Sequence, residues 1–148
     1  MTSLVRAKKF AQKRASRFAV FHIVEGQDTD AGQIPGATDG NYHLGNLAGP
    51  VVILGSGTYV HSASDAATSF DATIGTASGG TQIAGAMDLT STGNKANFTG
   101  RSWHPTGCEI WLNIASTGAG TDVGEYYFFV EYLELEKTTG EYNPMTEA

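Results

Sequence analysis

Residues 123–137 read VGEYYFFVEYLELEK. Taken at period two, the stretch separates into two rows, because successive side chains of a strand point to opposite faces. Tyr126, Phe128, Val130 and Tyr132 form one row; Tyr127, Phe129, Leu133 and Leu135 form the other. Both rows are apolar and aromatic at their centres. A strand with one wet face alternates apolar and polar, so this strand is expected to be covered on both sides. One side is assigned to a sandwich partner sheet. The other is assigned to a sibling subunit, with Tyr126, Phe128, Val130 and Tyr132 as the expected subunit interface. Glu131, Glu134 and Glu136 crowd the end of the stretch, where solvent begins.

Upstream, further runs carry strand patterns. In SRFAVFHIVE, residues 16–25, Phe18, Val20, His22 and Val24 share one face, while Ala19, Phe21 and Ile23 share the other. PVVIL at 50–54 reads as a strand, Gly55-Ser56-Gly57 as a kink, and Thr58–Ser62 as its resumption. Ser69–Ile74 alternates, with Phe70, Ala72 and Ile74 inward; GTASGG at 75–80 is a turn. Cys108–Ala115 alternates as well, with Ile110, Leu112 and Ile114 inward and Glu109, Trp111 and Asn113 outward. Ser116–Asp122 reads as a hairpin turn feeding the closing strand. Tyr42–Leu47 is ambiguous, Thr81–Leu89 suits a strand or a short helical turn, and Asn94–Thr99 suits a strand. Seven or eight short strands with Gly/Ser/Thr turns predict an all-β, jelly-roll-like β-sandwich.

The chain has 148 residues, 19 of them glycine, and 16% charged residues. That length suits one domain with a sizeable core. A single cysteine, Cys108, excludes an intrachain disulfide framework. No apolar run reaches membrane-span length, and no signal core follows the basic N-terminus, so synthesis in the cytoplasm is expected. Charge is unevenly distributed. Arg6, Lys8, Lys9, Lys13, Arg14 and Arg17 place six of the nine cations, and no acid, within residues 1–17. Residues 18–148 carry three cations against all 15 acids, a net of −12. The division expected is therefore a basic arm over 1–17, a sandwich domain over 18–137 and a tail over 138–148. A cationic arm on an acidic body implies its own acidic partner. Its cations suit phosphates, but the interleaved Leu4, Val5, Phe10, Phe18 and Phe21 favour a protein groove over nucleic acid. The expected partner-binding residues are Arg6, Lys8, Lys9, Phe10, Lys13, Arg14, Arg17, Phe18 and Phe21.

Motifs for chemistry are weak. VVILGSG at 51–57 lacks the third glycine and following helix of a dinucleotide turn. GTASGGT at 75–81 lacks the lysine of a phosphate loop. The four histidines, His22, His43, His61 and His104, make no metal spacing with one another or with Cys108. Asp28 and Asp30 are spaced for a hard cation but lack the Gly and Glu of a calcium loop. No nucleophile elbow is present. No catalytic residue, metal or cofactor is expected. Trp103 and Trp111 are candidates for an exposed aromatic surface, either a subunit contact or a glycan platform.

FDATIGTASGGTQIAGAMDL at 70–89, followed by CEIWLNIASTGAGTDVGEYYFFVEYLEL at 108–135, resembles the small jelly-roll structural proteins of tailed bacteriophages. The shared pattern, over roughly residues 50–137, is a strand leading through a G-T-x-x-G-G turn to an apolar segment, then a closing aromatic strand. The resemblance implies a non-enzymatic virion component at the capsid surface. The leading expectation is a capsid decoration (cement) protein that binds the major capsid protein as a homotrimer. The alternative is a tail fibre or spike domain that binds a host receptor or glycan.

Overall fold

The computed structural model describes residues 10–12, 15–26, 33–35, 40–65, 68–117 and 123–137, with the backbone alone at 10–12, 26, 33–35 and 136–137. Eleven strands are formed: β1 (Phe10–Gln12), β2 (Arg17–Gly26), β3 (Gln33–Pro35), β4 (Gly40–Ala48), β5 (Val51–Ser62), β6 (Ser69–Gly75), β7 (Ala84–Asp88), β8 (Gly93–Lys95), β9 (Ser102–His104), β10 (Gly107–Thr117) and β11 (Glu125–Lys137). No helix occurs among the described residues.

The strands make two sheets. The larger runs β3-β2-β11-β5, and the far edge of β5 is shared by β8 and β9. The smaller runs β4-β10-β6-β7. Every ladder is antiparallel except the short parallel pairing of β3 with β2. The pairings are nested. β2 pairs with β11, β4 with β10, β5 with β8 and β9, and β6 with β7. The first half of the chain thus lies against the second half as a folded ribbon. Two more ladders, β11 on β5 and β10 on β6, join turns of that ribbon into sheets.

The two sheets pack together as a β-sandwich, and burial drives the packing. Ile53, Val60, Tyr126, Phe128 and Val130 from the larger sheet meet Phe70, Ile74, Ile110 and Leu112 from the smaller, all fully buried. Each such side chain contributes about 1.5–3 kcal/mol by leaving water. The inward rows expected for β6 and β10 are observed: Phe70, Ala72, Ile74, Ile110, Leu112 and Ile114 are all buried. In β2 the Ala19–Phe21–Ile23 row is the inward one.

Several expectations are sharpened or corrected. The kink at Gly55-Ser56-Gly57 is a bulge inside one strand: β5 is continuous from Val51 to Ser62, but its register with β11 shifts between Glu131 and Tyr132, which makes Leu54, beside Gly55, the extra residue. A Cβ on Gly57 would come within 2.8 Å of the Phe129 ring and 3.0 Å of the Lys95 carbonyl. The glycine clears a lane for the aromatic ring of the neighbouring strand. β10 and β11 lie in different sheets and do not pair as the expected hairpin; residues 118–122 of the expected turn lie outside the described residues. Tyr42–Leu47 belongs to a nine-residue strand, and β8 is shorter than expected, ending at Lys95. Within the expected arm, Phe10–Gln12 pair with Leu135–Lys137 of β11, and Arg17 already opens β2.

Candidate assembly surface

β11 carries the face that most distinguishes this molecule. Tyr126, Phe128 and Val130 have no exposed surface and are sealed between the two sheets. Tyr132 packs against the same core. The assignment of these four residues to a subunit interface is therefore corrected: their row is the sandwich interior. The outward row is the other one. Tyr127 stands opposite His22 of β2 and Tyr59 of β5. Phe129 stands opposite Val20 and Gly57, and Glu131 opposite Phe18 and Gly55. Leu133 is opposite Val52, which in turn is opposite Trp103 of β9.

This outer face is apolar across most of its width. Phe18 and Val20 are each 58% exposed, and Tyr59 and Trp103 each 43%. Phe18 meets Phe129 edge-on at 6.1 Å between centroids, and Tyr59 lies 6.5 Å from Tyr127. The smaller sheet contrasts with it: the exposed residues of its strands are polar (Asn41, His43, Asn46, Asp88, Glu109 and Thr117) or alanine (Ala48, Ala86 and Ala115). One apolar and one solvated face is the ordinary antiparallel pattern; the larger sheet departs from it.

One end of the apolar face carries a polar cluster. The His22 imidazole bonds the Glu125 carboxylate at 2.7 Å, and His61 stands 4.0 Å from the other carboxylate oxygen. The pairing register between β11 and β5 shifts at Glu125/Tyr126, so that His61 is the extra residue of a bulge. A bulge re-aims side chains, and here it brings His61 beside Glu125. His22 stacks on Tyr127 at 4.5 Å and 9°, and Tyr127 donates a hydrogen bond to Glu125 at 3.3 Å. The His22 hydrogen bond, aided by the nearby His61, holds the Glu125 carboxyl below its ordinary range. Partial burial, followed by the Glu125 charge, pushes the Tyr127 phenol up.

A second polar pair is buried. Tyr126 donates to Glu25 at 2.8 Å, and Glu25 is 3% exposed. Burial, then the carboxylate, pushes the Tyr126 phenol well above its ordinary value. On the far side of the sandwich, Asn113 fixes the GTASGG turn. It accepts from the Gly79 amide at 2.8 Å and donates to the Gly80 carbonyl at 2.7 Å. The glycine-rich segment is thereby a structural turn folded onto β10, and VVILGSG is interior strand. Across β6 and β7, Asp71 faces Asp88. Thr90 lowers Asp88 by hydrogen bonding, while burial, followed by the Asp88 charge, raises Asp71.

Of the expected partner-binding residues, Arg6, Lys8, Lys9, Lys13 and Arg14 lie outside the described residues, as do Asp28 and Asp30. Phe10 is in β1. Arg17 pairs with Glu134 of the body at 3.5 Å. Phe18 is on the exposed face, whereas Phe21 points inward and packs against the core, so Phe21 is corrected from a partner contact to a packing residue. Trp103 and Trp111 sit on the outer faces of opposite sheets and form no joint platform. The Trp111 indole donates to Glu109 at 2.9 Å, and its ring meets that of His43. Among the described residues no group of three or more His, Cys, Asp or Glu is arranged to hold a metal ion, and no helix is long and apolar enough to cross a membrane. Val20 and Tyr59 were not singled out as surface residues from sequence, although the period-two reading of β2 had already put Val20 beside Phe18. No family model, curated protein or solved structure matches the chain.

Proposed function

We propose that the protein is a non-enzymatic structural component of a virus particle, a capsid decoration (cement) protein that seats on the major capsid protein shell of a tailed bacteriophage. It works as a homo-oligomer on the capsid surface. The observation that carries this reading is the apolar outer face of the larger sheet, built from Phe18, Val20, Tyr59, Tyr127 and Phe129. An apolar sheet face of that breadth favours coverage by protein. The nested ribbon pairing, β2-β11-β5-β8 over β4-β10-β6-β7, supports a jelly-roll reading of the sandwich, an architecture used by viral capsid and lectin domains. The six cations of residues 1–17 supply the contact with an acidic shell surface. Binding only the assembled shell, the protein stabilises it by mass action.

The test is decoration of empty shells by a chain lacking residues 2–9. This deletion spares β1, whose pairing to β11 belongs to the body. The truncated chain is expected to keep its β-rich circular dichroism spectrum and to lose shell binding. Full occupancy by the folded, truncated chain would refute the role of Arg6, Lys8 and Lys9, the three arm cations that the deletion removes.

A further inference from the structure

We propose that the outer face of the larger sheet is where two copies of this chain meet, stacked face to face about a two-fold axis that lies between the sheets and runs across the strands. The proposal deepens the reading of the protein as an assembly component by naming the face and its occupant.

Shape is the first argument. At its centre, β5 presents Gly55 and Gly57 outward, opposite Glu131 and Phe129. The Glu131 side chain lies 3.5 Å from where a Gly55 Cβ would stand, and the Phe129 ring lies over Gly57. Side chains of β11 therefore lie down across β5, which leaves a low surface that a second sheet can approach to the usual ~10 Å spacing.

Charge is the second. The chain outside the arm has a net charge of −12, so two bodies meet most readily where acids are fewest. Across the rows from Tyr127 to Glu131 that face holds one carboxylate, and the flanking Glu125 is already engaged by His22. The two ends of the face also differ in chemistry. His22 and His61, on either side of Glu125, mark one end with imidazoles, and Glu131, bonded by Ser16 at 3.3 Å, marks the other. The His22 and Glu131 rows are four residues apart, about 13 Å at ~3.3 Å per residue. A two-fold axis across the strands turns one copy end for end. It sets the imidazole end of each copy over the Glu131 end of the other and stacks the Val20–Phe129 rows between them. Self-complementarity of this kind is what an isologous contact requires. The smaller sheet offers no such face, since its exposed residues are polar or alanine and none is a large apolar side chain.

Sedimentation velocity of the full chain, with no shell present, tests this independently of shell binding. Two loading concentrations suffice, roughly 1 μM and roughly 100 μM, which bracket a Kd in the micromolar range. A dimer is expected at the higher concentration. Val20→Glu, at a position exposed in the protomer, is expected to raise the dissociation constant at least about tenfold. Val123→Glu, at an exposed apolar position ahead of β11, is expected to leave it unchanged. A monomer at both concentrations overturns the proposal, and so does an exclusively trimeric species. So does a dimer that Val20→Glu and Phe18→Ser, each verified as folded, both leave intact.

Discussion

Glu125 shows how one residue records its surroundings. Its carboxylate accepts from His22 at 2.7 Å, and that bond is the first cause of its lowered pKa. A carboxyl whose folded pKa lies below its unfolded value contributes stability above the unfolded pKa, and that contribution is lost as pH falls through the folded value. His22→Ala removes the bond. The Glu125 side-chain carboxyl, followed by NMR, is expected to titrate at higher pH in this variant, closer to the ordinary glutamate value. An unmoved titration would mean that His61 and Tyr127 hold the carboxylate without His22. None of this cluster was legible beforehand. His22, His61 and Glu125 are 39 and 64 residues apart in sequence, and only the β2-β11-β5 order, with the bulge at His61, brings them together.

Elements were legible where one face is apolar and the other polar. The inward rows of β6 and β10 could be read directly, because alternation fixes register when only one side is dry; β2, apolar on both rows, could not. β11 was harder for the opposite reason. Both of its rows are apolar, so period two separates them without saying which is inside. Only the sandwich resolves it, by setting Tyr126, Phe128 and Val130 over Phe70 and Ile110. Gly55 and Gly57 could be read as a kink, which the bulge at Leu54 bears out, but the reason for Gly57 could not: it makes room for a ring on the next strand. Gly57→Val tests that account. Its side chain would occupy the space of the Phe129 ring and press on the Lys95 carbonyl. Chemical denaturation is expected to register a loss of about 1–3 kcal/mol, the usual cost of overpacking. A neutral or stabilising result would mean that Phe129 leaves its lane at no cost.

At the scale of the whole molecule, the strand content and the sandwich followed from composition and turn spacing, while the sheet order did not. The passage from β10 to β11 reads as a hairpin because STGAGTD has turn chemistry, and local turn residues carry no information on which sheet the chain enters next. The arm was legible as charge but not as structure, since the pairing of Phe10–Gln12 with β11 depends on a strand more than a hundred residues away. What emerges is a sandwich whose closing strand seals the core with one row and, in the proposed dimer, presents the other to a second copy. Hydroxyl-radical footprinting of the full chain, dilute and concentrated, tests this most directly. Labelling of Phe18, Tyr59 and Phe129 is expected to fall as concentration rises, while Trp111 on the opposite sheet keeps its reactivity. Equal labelling of the Phe18–Tyr59–Phe129 face at both concentrations, or protection at Trp111 instead, would contradict the account.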